Sequence, residues 1–449
     1  MEKIDLLRSG KLQGIKRLDL AAGLTEFPIE IFDLADSLEI LNLSDNRLQS
    51  LPTDLGRLHK LKIIFLSNND FEEVPEVLAD CSNLSMVGFK SNKIRVLSEN
   101  ILPLEVRWLI LTDNQLERLP KSIGRLLSLQ KLMLAGNQLR SLPDEMAACQ
   151  NLELVRLAAN RLESLPQWLF TLPRLSWLAY AGNPVCTANL LPTVPIISWA
   201  DLTLSEPLGE GASGVISKGL WHSPPQSPTD VAIKIFKGAM TSDGEPADEM
   251  NACMAAGGHP HLVGALGKIG NCPDAKSGLI LSLIPPDYQN LGNPPSLDSC
   301  TRDTYAEETS FTIATILQIA IGISSAAAHL HTQGIMHGDL YAHNIMTNDR
   351  GNCLLGDFGA ASSYDRTDEI ASLALEKLEV RAFGCLLEDL LVRCQLPNVF
   401  NGASKDEDRE KLVLKRLKKL QQDCLQTIPA NRPLFVEISA ILAESIGTW

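Results

Sequence analysis

Three glycines in Leu208-Gly209-Glu210-Gly211-Ala212-Ser213-Gly214-Val215 have the G-x-G-x-x-G spacing that lets main-chain amides close around a phosphate. Alone this spacing is weak, being shared by dinucleotide sites and by chance. Downstream, Val231-Ala232-Ile233-Lys234 lies in an alternating, strand-like segment, whereas a dinucleotide fold wants a helix directly after its glycines. Two more groups of reactive side chains follow, in His337-Gly338-Asp339-Leu340-Tyr341-Ala342-His343-Asn344 and in Asp357-Phe358-Gly359. A lysine, two aspartates and an asparagine suit phosphoryl transfer, which needs charge neutralisation and alignment.

These four motifs, in this order, resemble those of the protein kinases. The resemblance implies a two-lobed α+β domain that binds ATP and Mg2+. It places Gly209, Gly211, Gly214, Val215, Ala232 and Lys234 around the nucleotide and makes Asn344 and Asp357 metal ligands. Asp339 would accept or orient the proton of the substrate hydroxyl. Lys234 needs an acidic partner from the next helix. Glu249, ahead of His259-Pro260-His261-Leu262-Val263, is the candidate, with Glu245 the alternative; either could instead be a solvated helix charge. Cys424, Pro429, Arg432-Pro433 and Phe435 are similar to the family's C-terminal pattern, so the resemblance runs from about residue 200 to 445.

The chain also departs from that pattern. Gly338 stands where an arginine usually precedes the catalytic aspartate, which implies activity independent of loop phosphorylation. Tyr341 and His343 occupy the positions that usually distinguish serine/threonine from tyrosine kinases, leaving the hydroxyl class open. Glu379-Val380-Arg381-Ala382-Phe383-Gly384 resembles the start of a family helix, yet it follows Asp357 closely, so the activation segment is short. Ala374-Leu375-Glu376 reads as a remnant of that segment's end, with Glu376 expected to pair with Arg432. Ser362, Ser363, Tyr364, Thr367 and Ser372 are candidate modification sites in the short segment, although loop hydroxyls are usually solvated turn formers. The leading function is a protein kinase, serine/threonine-directed; small-molecule phosphorylation stays open. The rival is a pseudokinase scaffold acting through protein binding.

The first two-fifths of the chain repeats Leu-x-x-Leu-x-Leu-x-x-Asn-x-Leu-x-x-Leu-Pro about every 23 residues, as from Leu38 to Leu61. Repeats begin at Leu38, Leu61, Leu84, Val106, Leu129, Leu152 and Leu175, with a degenerate cap from Ile15 to Pro28. This pattern resembles leucine-rich-repeat proteins and predicts an α/β solenoid, a horseshoe whose strands bury pairs such as Leu41 and Leu43. The asparagines Asn46, Asn69, Asn92, Asn114, Asn137, Asn160 and Asn183 are expected to bond the adjacent coil. The strand positions expected to face solvent hold Ile40, Ile63, Phe65, Met86, Trp108, Ile110, Met133, Leu154 and Trp177. So apolar a set predicts a protein-binding patch, for a separate partner or for the chain's own kinase domain, unless adjacent coils cover it.

The expected domains are repeats over 12–186, a proline-punctuated linker over 187–201 and a kinase domain over 202–449. The arrangement is similar to plant receptor-like kinases, but no hydrophobic span divides the halves, so a non-receptor protein is expected. A net charge of −14 opposes nucleic-acid binding. Ten scattered cysteines without a C-x-x-C pair suit a reducing compartment, and no apolar leader follows Met1, so the cytoplasm is the expected location. The apolar stretch 313–330 is interrupted by Gln318, Ser324 and Ser325, too polar for a membrane span. His259, His261, His329 and His331 lack further metal ligands, and 405–422 reads as an amphipathic helix with Val413, Leu417, Leu420 and Cys424 on one face.

Overall fold

A computed structural model of the chain describes residues 3–99, 102–186, 195–211, 213–222, 227–238, 240–395 and 405–446. It divides into two compact units, one of Met1–Leu175 with Asn183–Val185 and one of Ser176–Gly182 with Cys186–Trp449.

In the first unit a short helix, α1 (Lys3–Arg8), buries Ile4 and Leu7 ahead of the residue-12 start expected for the repeats. Seven three-residue strands follow: β1 (Arg17–Asp19), β2 (Ile40–Asn42), β3 (Ile63–Phe65), β4 (Met86–Gly88), β5 (Trp108–Ile110), β6 (Lys131–Met133) and β7 (Leu154–Arg156). They pair in parallel, in chain order, one coil out of step, as in Leu18↔Leu41 and Leu109↔Leu132. Leu41, Leu43, Leu109, Leu111, Leu132 and Leu134 are wholly buried, so the leucine period is the core of the stack. The proline ending each motif fixes φ near the value a tight turn needs, and Pro28, Pro75, Pro120, Pro143 and Pro166 each open a short 3-10 helix.

The asparagine ladder forms as expected. Asn114 Nδ2 donates to the carbonyls of Phe89 at 2.9 Å, Leu111 at 3.1 Å and Thr112 at 3.2 Å, while its Oδ1 accepts the Ile94 N–H at 3.0 Å. The residue before each of the seven ladder asparagines, Asp45, Asn68, Ser91, Asp113, Gly136, Ala159 and Gly182, takes a left-handed φ.

In the second unit, β8 (Trp177–Ala179) precedes a six-stranded sheet built from β9 (Ile196–Ser198), β10 (Leu202–Glu210), β11 (Gly214–Trp221), β12 (Thr229–Phe236), β13 (Ala265–Gly270) and β14 (Gly278–Ser282), ordered β10-β11-β12-β14-β13-β9. The linker expected over 187–201 thus supplies β9, which pairs with β13; its residues 187–194 lie outside the described residues. Ile197, Val231, Ile233, Ile269 and Ile280 form one apolar cluster. Strand alternation then sends Ala232 and Lys234 to the opposite face. Helix α2 (Pro246–Ala255) follows β12, with Pro246 in its first turn.

The rest of this unit is helical: α3 (Ile313–Thr332), α4 (Glu369–Val392), α5 (Lys405–Cys424) and α6 (Phe435–Ile446). Short strands carry the loops between them, β15 (Gln289–Asn290), β16 (Ile335–Met336), β17 (Ile345–Thr347), β18 (Cys353–Leu355) and β19 (Ser362–Ser363). Helix α3 is long and apolar enough to cross a membrane, yet most of it is buried within the unit. Val413, Leu417, Leu420 and Cys424 line the buried side of α5.

Candidate active site

The glycine turn joins β10 to β11, with Gly209 opposite Ile216 and Glu210 opposite Val215. Its tip closes through the Gly211 N–H to the Gly214 carbonyl at 2.9 Å, and Lys237 pairs with Glu210. Gly209 and Gly211 border open space: a Cβ on either would meet nothing within 4 Å. Gly214 differs, because a Cβ there would lie 2.5 Å from the Ile235 carbonyl, so strand packing already demands its glycine.

Lys234 makes a buried ion pair with Glu249 of α2; Glu245 instead sits at the helix N-cap. Burial pushes the Glu249 carboxyl up; Lys234 pulls it down, Asp357 pushes it up and the Ser213 hydroxyl stabilises its charge. Asp357 has φ 54°, a left-handed conformation unusual for a residue with a side chain, and its Oδ1 accepts the Gly359 N–H at 3.2 Å. A Cβ on Gly359 would lie 3.2 Å from that Oδ1 and 3.8 Å from Glu249 Oε2, so the two carboxylates flank one glycine, with Lys234 paired to the second. Phe358 is buried against the His337 ring, centroids 5.3 Å apart.

Asn344 Nδ2 donates to Asp339 twice, to its carbonyl at 2.9 Å and to Oδ2 at 2.7 Å. His337 is fixed as one tautomer by its partners: Nε2 donates to the Gly356 carbonyl at 2.9 Å, and Nδ1 accepts the Asp339 N–H at 3.3 Å. The loop is therefore held at both ends of the Asp339–Asn344 stretch.

Against known proteins, a model of protein tyrosine and serine/threonine kinases matches residues 202–384, and a leucine-rich-repeat model matches 36–94 and 127–185. The chain joins leucine-rich repeats to a protein kinase domain. Fibroblast growth factor receptor 1 of Pleurodeles waltl is 22% identical over 317 residues, which cover 60% of this chain and 38% of the relative. A "Probable serine/threonine-protein kinase" of Dictyostelium discoideum is 24% identical over 278 residues, 55% of this chain and 28% of the relative. The chain thus matches well under two thirds of the length of either.

Two acids anchor the kinase domain's loop: Glu379, which the sequence marked only as the start of a helix motif, and Asp303, which it did not mark. Glu379 of α4, 1% exposed, accepts the N–H groups of His337 at 3.2 Å and Gly338 at 2.7 Å and pairs with His331 Nε2 at 2.8 Å. Burial alone would raise its pKa, but His331, His337 and the Gly338 N–H outweigh it and hold the carboxyl below its ordinary value. Asp303 takes the Ala342 N–H at 2.5 Å and His343 Nδ1 at 2.7 Å. Burial would lower the His343 pKa; the bond to Asp303 and the charges of Asp303, Asp339 and Asp357 turn the net shift upward. The Glu379 signal was present, an acid among apolar residues of a helix; Asp303 lies in an unremarkable polar loop.

After Gly359 the kinase domain has little free chain. Ser362 and Ser363 form β19 against β16, Asp368 caps α4 through the Ala371 N–H, and α4 runs unbroken through Ala374-Leu375-Glu376 and Glu379. Ser362 and Tyr364 are buried, which accounts for them as packing residues. Glu376 accepts the Phe435 N–H at 2.8 Å, while Arg432 donates to the carbonyls of Gln426 at 2.9 Å and Lys377 at 3.0 Å. Burial beside Arg381 brings Arg432 down to about 9.

The nine apolar strand positions are not all exposed as expected. Ile63, Met86, Met133, Leu154 and Trp177 are buried; Ile40, Phe65, Trp108 and Ile110 are half-exposed. Strand spacing brings neighbouring side chains together, so Phe65 and Ile110 close over Gly88, where a Cβ would lie 2.8 Å from Phe65 Cδ1 and 3.6 Å from Ile110 Cδ1. Lys131 Nζ covers the Trp108 ring at 4.2 Å.

Proposed function

We propose that this protein is an active ATP-dependent kinase that phosphorylates serine or threonine on a protein, and that its repeats recruit the substrate or a regulator. The supporting observation is that Glu249 pairs with Lys234 and flanks Gly359 together with Asp357, while the Gly209 and Gly211 turn borders open space. That open cradle, the lysine and an exposed carboxylate suit a nucleotide phosphate with its magnesium. ATP supplies the terminal phosphoryl group and its good leaving group.

The residues divide the remaining work. Lys234 neutralises phosphate charge, and Glu249 keeps its ammonium in place. Asp357 and the Asn344 amide oxygen are hard oxygen donors of the kind magnesium takes. Asn344 Nδ2 orients the Asp339 carboxylate, whose role is to take the hydroxyl proton as the new P–O bond forms. The serine/threonine preference draws on one relative's name; a cytoplasmic location suits the free, half-exposed thiols of Cys272 and Cys394. Phe65, Trp108 and Ile110 are the remaining apolar contact for a protein partner.

The test is magnesium-dependent transfer from labelled ATP by the full-length chain, with serine, threonine and tyrosine acceptor peptides. Loss of about 100-fold or more in both Asp339→Asn and Asp357→Ala supports the reading. The second reading is a scaffold, and the short chain between Gly359 and α4, which leaves little room to dock a peptide, favours it. ATP binding without transfer to any acceptor, equal in wild type and Asp339→Asn, would establish the scaffold instead.

A further inference from the structure

The segment Ser176–Gly182 belongs to the second unit, although it lies within the repeat pattern of the sequence. Its contacts fall on three elements around Asp339. The Trp177 ring stacks on Tyr341, centroids 4.2 Å apart and planes within 7°, and its indole N–H donates to the Leu340 carbonyl at 3.2 Å. The Tyr180 N–H donates to Ser362 Oγ at 2.9 Å, in the chain that follows Gly359. Arg381 of α4 donates to Ser176 Oγ at 2.7 Å.

Leu340 and Tyr341 are the two residues directly after Asp339, and Gly338 directly precedes it. Gly338 has φ 73°, and a Cβ there would lie 2.5 Å from the Leu178 carbonyl and 2.6 Å from the Ala360 carbonyl. Glycine is therefore the residue that lets this segment approach, and it is also the most pliant residue the chain could place beside its base. The short stretch before α4 pairs its two-residue strand β19 with Ile335–Met336, ahead of the loop. Glu379 and Asp303 hold the loop at Gly338 and Ala342, and Trp177, 1% exposed, adds a flat, buried surface with one directed donor at the two residues between them that follow Asp339.

We propose that Trp177 is a positioning residue for phosphoryl transfer: through its stack on Tyr341 and its bond to the Leu340 carbonyl it holds the Asp339 carboxylate in line with the reacting hydroxyl. The inference rests on Asp339 being the base. It separates from a purely structural role because nucleotide binding, which depends on Lys234 and the glycine turn, should not change.

The experiment uses the full-length chain with Trp177→Phe, which keeps a ring and loses the donor, and Trp177→Ala. Amide hydrogen exchange of residues 337–344 and steady-state kinetics are measured for each. The expected result is faster exchange in the loop and a kcat lower by about 10- to 100-fold in Trp177→Ala, less in Trp177→Phe, with KM for ATP unchanged. Unchanged exchange in Trp177→Phe and in folded Trp177→Ala overturns the proposal whether or not the wild type transfers phosphate. Faster exchange with unchanged kcat also overturns it. Faster exchange in the Trp177 variants of a protein whose turnover ignores Asp339→Asn would keep the hold on the loop and overturn the catalytic reading.

Discussion

The N–H of Gly338 donates to the Glu379 carboxylate at 2.7 Å, deep inside the helical part of the kinase domain. The same carboxylate takes the His337 N–H and the His331 imidazole, so one acid satisfies three donors that no water reaches. Glu379→Ala would orphan all three and should destabilise the domain by about 3–5 kcal/mol, read by denaturant unfolding.

The depressed Glu379 pKa also fixes a sign with pH. Its folded value lies below the ordinary 4.5, so its contribution is complete above about pH 4.5 and disappears as pH falls through the folded value. Thermal scans of wild type and Glu379→Gln should therefore converge below pH 4.5. Parallel curves down to pH 3 would contradict the assignment.

His343 titrates with the opposite consequence. Its folded pKa is raised above 6.5, so the Asp303 pair contributes fully below about pH 6.5 and fades as pH rises through the folded value. Each unit of that shift is worth about 1.4 kcal/mol. The stability gap between wild type and His343→Gln should be larger at pH 6 than at pH 9, with the ring titration followed by NMR.

Removing the cation at the head of the site should affect chemistry more than folding. Lys234→Met leaves Glu249 buried without its partner, and the carboxyl, already pushed up by burial, would take a proton. Transfer from ATP should fall by about 100- to 1,000-fold while the melting profile of the repeats stays the same.

In the repeats, Asn114→Ala would strip the Ile94 N–H of its acceptor, while the Phe89 and Leu111 carbonyls keep Asn92 and Asn137 as donors. At about 1–3 kcal/mol for a buried group left unsatisfied, the first unit should lose about that much, while exposed Arg118→Ala should be silent by calorimetry.

The repeat fold was legible because its signals are periodic: the leucines, the ladder asparagines and the prolines each recur once per coil and each has one physical job. In the kinase domain the order of Gly211, Lys234, Asp339 and Asp357 was equally readable, and of the two glutamates weighed it is Glu249 that pairs with Lys234. What escaped the sequence depends on distance in space. Asp303 and Glu379 act on main-chain N–H groups 39 to 42 residues away, and backbone partners leave no mark in residue type. Trp177 was read as one more member of a strand column because its period is that of the leucines. Nothing local tells a tryptophan facing solvent from one stacked on Tyr341.

The place of Ser176–Gly182 also bears on how such a chain can be cut and recombined. The match to kinases begins at residue 202, so excision by that boundary, or exchange of the catalytic half for a relative's at the same point, leaves Trp177 behind. The two halves look interchangeable in the sequence, but Ser176–Gly182 groups with the second unit while Asn183–Val185 groups with the first. A graft that respects only the motif boundaries would inherit the glycine at 338 without the chain that fills the space beside it.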